Sequence, residues 1–362
     1  MTLRLPRPIL DWYASRGWKV FDFQRQAWEA YLDGRDGLIF SPTGSGKTYA
    51  AWLGPVLEAM RERPRHAGPD PEPIRVVWIT PLRALASDTA RALQEAADAV
   101  GLNWSVETRT GDTGSSLKAR QRRRLPTALV TTPESLTILL TYSETLKQLR
   151  ALRCVVCDEW HELLSTKRGV QAELALARLR ACAPALRVWG VSATLGNLDT
   201  AARVLVGPDR PPPAMIRGRA SKPIEIECLL PKSIERYPWA GHIGTSLLDR
   251  VVERIHAASS TLVFTNTRSQ AEIWFRGLVK ASPDLIGRIA LHHGSLGRDL
   301  RDMVERMLKG EEGGLRCVVS TSSLDLGVDF APVDQVIQIG SPKGVARIVQ
   351  RAGRSGHRPG AT

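Results

Sequence analysis

The sequence has 362 residues and a net charge of +13, from 50 Lys and Arg against 37 Asp and Glu. Hydrophobic residues make up 43%, which supplies cores for two domains of ~150 residues each and excludes a disordered chain. No apolar run approaches the ~20 residues that span a bilayer, and the charged N-terminal stretch MTLRLPRPILDWYASRGW is not a signal peptide; a soluble, cytoplasmic protein with no membrane partner and a polyanionic ligand is expected.

In chain order, the first strand-like run is GLIF (37–40). SPTGSGKT (41–48) follows it, and the helical stretch Lys47–Met60 begins within that loop. Strand, glycine-rich loop and helix in this order make a phosphate cradle. Thr43, Gly44, Ser45 and Gly46 curl the backbone so that its N–H groups face a phosphate, and the helix aims its positive end at the same place. Lys47 supplies charge to the β and γ phosphates, and the Thr48 hydroxyl is placed to bind Mg²⁺. The loop departs from its usual pattern at Ser41, where a first glycine is common; that position needs only a small residue.

The Pro- and charge-rich RERPRHAGPDPEPIR (61–75) reads as a surface loop. The strand VVWIT (76–80) and the helix Leu82–Val100 follow, then the basic run KARQRRR (118–124), read as a solvated helix face rather than a nucleic-acid track. After the strand ALVTT (128–132) comes CVVCD (154–158). Cys154 and Cys157 are three apart on a buried strand and point to opposite faces, so they cannot pinch one metal. Five cysteines, an odd count, make no disulfide framework. Asp158 and Glu159 close that strand, where adjacent acids are costly unless used. Asp158 would hold Mg²⁺, and Glu159 would orient and deprotonate an attacking water. His161 is read as a link from this site towards the second domain. The helix Gln171–Ala181 and the strand RVWGVSA (187–193) end the first alternation of strands and helices, which predicts a parallel sheet covered on both faces. The tryptophans, Trp78 and Trp189 among them, lie mostly in apolar strands or on apolar helix faces and are read as core.

The prolines of GPDRPPPA (207–214) interrupt the pattern and mark the approach to a domain boundary. A second series follows: IEIECLL (224–230), TLVFTN (261–266), RIALHHG (288–294), CVVSTS (317–322) and QVIQIG (335–340). It ends on QRAGRSGHR (350–358). An arginine there, contributed across a cleft, would stabilise charge on a transferring phosphoryl group.

Together these segments resemble the superfamily 2 helicases over nearly the whole chain. DEWH (158–161) matches a DExH box and SAT (192–194) the motif that couples hydrolysis to unwinding. The resemblance implies two tandem RecA-like α/β domains, 1–214 and 215–362, each a mainly parallel sheet flanked by helices, with ATP in the interdomain cleft. It implies that Gln24 reads adenine and that Gly327, Asp329, Gln350, Arg351 and Arg354 complete the ATP contacts. Arg354 matches the first finger arginine; His357 stands at the second, where Arg358 would substitute. The nucleic-acid contacts implied are Thr80, Pro81 and Arg83 in TPLRALA, Thr110 and Gly111 in TGD, and Thr132 and Pro133 in TTPESL. In the second domain they are Thr265, Asn266 and Arg268, then Gly294 and Ser295, then Thr321 and Ser322. Small hydroxyls and backbone N–H groups of this kind suit phosphates, which a motor moving along any sequence must grip.

DEWHELLSTKRGVQAELALARLR and YPWAGHIG resemble the Lhr (large helicase-related) group, and most closely its bacterial ligase-associated DExH-box DNA helicase. That resemblance implies an ATP-dependent 3′-to-5′ motor on single-stranded DNA, acting in DNA repair with a ligase or nuclease as partner. An RNA or RNA–DNA hybrid helicase, and an ATP-gated clamp without productive unwinding, stay open. The chain is expected to be a motor-core fragment whose second domain lacks its last strand and which unwinds duplexes weakly by itself.

Overall fold

Parallel strands covered on both faces need apolar side chains on both, and the central runs supply them. The computed structural model describes residues 3–355 except 42–44, 63–71, 82, 165, 194–196, 219–224, 231–243, 311–313, 326–332 and 343. Two compact units result, Met1–Ala220 and Ser221–Thr362.

The sheet of the first unit contains β1 (Gly37–Phe40), β2 (Val76–Ile79), β3 (Val106–Arg109), β4 (Ala128–Thr131), β5 (Cys154–Cys157), β6 (Arg187–Ser192) and β7 (Ala214–Arg217). The spatial order is β3-β4-β2-β5-β6-β1-β7, with every pairing parallel. Its helices are α1 (Arg7–Ser15), α2 (Asp22–Leu32), α3 (Lys47–Glu62), α4 (Arg83–Ala99), α5 (Ser115–Arg123), α6 (Pro133–Leu139), α7 (Ser143–Gln148), α8 (Trp160–Leu163), α9 (Lys167–Cys182) and α10 (Leu198–Val206). Cys154 belongs to the core on one face of the sheet with Trp52, Trp78 and Trp189, and Cys157 to the core on the other with Leu38 and Trp160. The opposite-face reading of the C-x-x-C pair is therefore what the strand shows. Among the described residues no cluster of three or more His, Cys, Asp or Glu is arranged to hold a metal ion, and no helix is long and apolar enough to cross a membrane.

Two strands escape the sequence pattern, and both are sheet edges. In β3 only Arg109 is buried, and β7 alternates buried and exposed residues. β7 also carries the first unit past the proline run: Ala214 N–H donates to the Asp36 carbonyl at 2.8 Å and β7 pairs with β1. The division at 220/221 thus falls after the expected 214/215.

The second unit has β8 (Thr261–Phe264), β9 (Ile289–His292), β10 (Cys317–Ser320) and β11 (Gln335–Gln338), parallel in the order β11-β8-β10-β9. Helices α11 (Leu248–Ala257), α12 (Arg268–Ala281), α13 (Arg298–Leu308) and α14 (Val345–Ala352) accompany it. The run IEIECLL, expected as a strand, is not one over residues 225–230, which have no regular structure. Ile226 is 66% exposed and Leu230 69%, so among the described residues no sheet covers these apolar side chains.

Candidate active site

In open parallel sheets ligands bind outside the carboxyl ends of the strands. The order β5-β6-β1 brings three such ends together: the acids after β5, Ser192 and Ala193 at the end of β6, and the phosphate loop after β1.

In that loop, Pro42, Thr43 and Gly44 lie outside the described residues. The remainder is held from α2. Gln24, 2% exposed, accepts the Phe21 N–H on Oε1 at 3.0 Å and donates from Nε2 to the Gly46 carbonyl at 3.1 Å. Gly46 has φ +86°, and a Cβ there would lie 2.8 Å from Gln24 Nε2. Lys47 is buried at the start of α3, where its Nζ donates to the Ser41 carbonyl at 2.6 Å. The Ser41 and Ser45 hydroxyls are buried without a hydrogen-bond partner among the described residues.

Asp158 is held at both carboxylate oxygens. The Glu159 N–H donates to Oδ1 at 2.9 Å, and the indole of Trp78 donates to Oδ2 at 3.2 Å. Burial, and then the Glu159 charge, push its pKa up to about 7; the Trp78 hydrogen bond and the Lys47 charge oppose them. Trp78 is core, as expected, and its one polar atom has this additional task. Glu159 has φ 44° and ψ 47°, the one non-glycine left-handed residue among those described. Such strain, of order 1–3 kcal/mol, clusters at functional sites. Its Oε2 is buried without a hydrogen-bond partner among the described residues.

Within the first unit His161 is held at one ring nitrogen. Its Nδ1 lies 3.1 Å from Ser192 Oγ and 3.4 Å from the Ala193 N–H, which can only donate. Nδ1 is thus the acceptor of a neutral ring, and burial correspondingly lowers the His161 pKa against the pull of Glu159 and Glu162. The histidine joins the acid loop to the end of β6. Thr194, last of SAT, lies outside the described residues.

The expected nucleic-acid residues sit at the carboxyl ends of both sheets, but most of their hydroxyls face inward. Thr80, Thr132 and Thr265 are buried. Thr132 Oγ1 caps α6 through the Ser135 N–H, and Thr265 Oγ1 donates to the Thr267 carbonyl. Thr110 Oγ1 accepts the Asp112 N–H, and Thr321 Oγ1 contacts Ser323 Oγ at 3.5 Å. Asn266 donates to the Ser341 carbonyl. Pro81 and Pro133 are buried at their loop ends, while Arg83, Gly111, Arg268, Gly294, Ser295 and Ser322 are exposed. The threonines thus shape the loops, and the exposed cations and glycines form their outer surface. The run KARQRRR ends helix α5, with Arg122, Arg123 and Arg124 exposed and Gln121 buried.

In the second unit Gln350 and Arg351 are 5% and 2% exposed. Arg351 was expected as an ATP contact; its guanidinium donates to both oxygens of Asp325 and to Gln338, and lies 4.6 Å from the Phe264 ring centroid. Arg354 Nη2 donates to the Asp325 carbonyl at 3.0 Å. Gly327, Asp329, His357 and Arg358 lie outside the described residues. Sequence reading missed three participants: Trp78 as the partner of Asp158, Asp325 as the anchor of Arg351, and Arg168, which donates to Glu134 and the Pro81 carbonyl.

Residues 21–201 match the family model of the DEAD/DEAH box helicases, and residues 245–359 match the helicase conserved C-terminal domain. The chain belongs to the DEAD/DEAH box helicase family. Within the family it is similar to the ATP-dependent helicase Lhr-Core of Methanocaldococcus jannaschii, 37% identical over 98% of this chain and 42% of that protein. A Mycolicibacterium smegmatis Lhr helicase and probable uracil glycosylase is 33% identical over 97% of this chain and 25% of its own length. The chain therefore spans less than half of these relatives. The structure of Mycobacterium smegmatis helicase Lhr bound to ssDNA and AMP-PNP superposes with a TM-score of 0.79 at 32% identity, over 99% of this chain and 47% of that one.

Proposed function

We propose that this chain is a nucleic-acid-dependent ATP hydrolase, the motor of a 3′-to-5′ DNA helicase of Lhr type serving DNA repair. Glu159 carries the reading. A buried carboxylate oxygen with no hydrogen-bond partner among the described residues, on left-handed backbone at a strand end, is costly unless a ligand uses it. The Ser45 hydroxyl in the phosphate loop is a second such atom.

ATP with Mg²⁺ fits this set. When bound, the nucleotide supplies the γ-phosphoryl group and the cation neutralises its charge. Lys47, with the loop N–H groups of Thr43 to Gly46, would hold the phosphates; Thr48 and Asp158 would hold the cation; and Gln24 would both brace Gly46 and face the base. Glu159 would orient the attacking water and take its proton. Arg354 would steady the transferred charge from the second unit, which makes turnover depend on both units.

The charge of +13 and the exposed Arg83 and Arg268 support a phosphate-backbone ligand. The relative whose structure is bound to ssDNA supports DNA; polarity and a repair role with a ligase or nuclease rest on the Lhr likeness. Turnover measured with matched DNA, RNA and hybrid strands tests this. DNA should stimulate most, and duplexes with 3′ tails should be engaged in preference to those with 5′ tails. Greater stimulation by RNA, or preference for 5′ tails, would replace the DNA reading.

A further inference from the structure

We propose that Arg168 is a positioning residue that holds two nucleic-acid segments of the first unit in fixed relation to the acids after β5; this rests on the strand-stimulated ATPase reading above. Arg168 stands in the first turn of α9, and its guanidinium meets the loop after β2 and the first turn of α6 after β4, which are distant in sequence. Nε and Nη2 donate to the two carboxylate oxygens of Glu134, the latter at 3.1 Å, and Nη1 donates to the Pro81 carbonyl. Pro81 follows β2 and Glu134 follows β4, which are paired neighbours, so both segments leave one sheet edge side by side. Burial works to raise the Glu134 pKa, and the Arg168 hydrogen bond with its other partners outweighs that and holds it below its ordinary value.

The turn bearing Arg168 is fixed from the other side. Thr166 Oγ1 donates to the Leu163 carbonyl at 2.6 Å and accepts the Gly169 N–H at 3.1 Å. A Cβ on Gly169 would lie 2.1 Å from that same carbonyl, so glycine is what lets α9 start against the end of α8. Helix α8 begins at its N-cap Glu159 and carries His161. A short, tied path thus runs from Glu159 through α8 to Arg168, and from Arg168 to Pro81 and Glu134. Three donors in one plane engage three acceptors on two segments. A lysine can place its charge there but cannot reproduce the fork.

The test is ATP turnover of the full chain titrated with a single-stranded thymidine oligonucleotide, for the parent, Arg168→Lys, Arg168→Gln, Glu134→Gln and the double variant Arg168→Gln/Glu134→Gln. Both Arg168 variants should need about tenfold more strand for half-stimulation, the scale of a charge-assisted hydrogen bond on a partly exposed pair. Their strand-free turnover and KM for ATP should stay at the parent's level, and the double variant should be no worse than Arg168→Gln alone. Melting curves show whether each variant folds, and Arg168→Lys and Glu134→Gln are the mild changes that keep the test decisive. Basal and stimulated rates falling together with unchanged half-stimulation would show a merely structural arginine and overturn the proposal. Parental behaviour of Arg168→Lys would overturn it too. A parent not stimulated by any strand would instead defeat the motor reading itself, and the proposal with it.

Discussion

Arg351 donates to both carboxylate oxygens of Asp325, at 2.6 and 2.9 Å, with both side chains buried. The pair ties α14 to the segment after β10, and Arg354 adds a hydrogen bond to the Asp325 carbonyl. Breaking a buried pair by removing one partner leaves an uncompensated charge and costs roughly 3–5 kcal/mol. Arg351→Ala and Asp325→Ala should each lower the free energy of unfolding read from urea melts by that order, and the double variant by less than their sum. An Arg351 that served only as a nucleotide contact would leave the midpoint in place and raise the KM for ATP.

Gln24 and Gly46 form a second such couple. Removing the Gln24 amide loses its hydrogen bond to the loop, so Gln24→Ala should raise the KM for ATP roughly fivefold, as a net ~1 kcal/mol bond implies. Gly46→Ala should be worse, because alanine meets both the positive φ and the Gln24 amide 2.8 Å away. In Gly46→Ala/Gln24→Ala the clash is relieved and the backbone strain is not, so recovery should be partial. Steady-state kinetics over a range of ATP concentrations measures all three.

Arg83 is exposed, 3.4 Å from Asp112, at the mouth of the first loop cluster. Strand affinity should fall linearly on a log–log plot against salt, and Arg83→Ala should reduce that slope by about 1, the loss of a single phosphate contact. An unchanged slope would remove Arg83 from the strand path.

Acid stability offers a check on the second unit. Glu305 lies below its ordinary value of 4.5, chiefly through its hydrogen bond with His292. A carboxylate with a depressed folded pKa contributes stability above its unfolded pKa, and that contribution is lost as pH falls through the folded value. The parent should therefore lose stability below about pH 4.5 more steeply than Glu305→Gln, by urea melts at stepped pH. Parallel curves would show that the hydrogen bond adds nothing.

The fold was legible where burial is two-sided. GLIF, VVWIT, ALVTT, CVVCD and RVWGVSA each contain a strand because central strands must be apolar on both faces. The edges β3 and β7 were not, since one polar side removes that signal. IEIECLL misled for the converse reason: among the described residues its alternation has no sheet to cover it. In the site, the loop glycines and the paired acids could be read because phosphate and metal chemistry restrict residue type and spacing. The Arg351 pair with Asp325 and the Arg168 fork could not, since each depends on a partner far along the chain.

The most direct test of the central claim is steady-state ATP turnover with and without single-stranded DNA, for the parent and for Glu159→Gln, alongside nucleotide binding. Turnover by the parent should rise with the strand. Glu159→Gln should lose it by ~10²–10⁴, the range of a general base, while still binding ATP. Hydrolysis indifferent to the strand, or persisting in Glu159→Gln, would contradict the account.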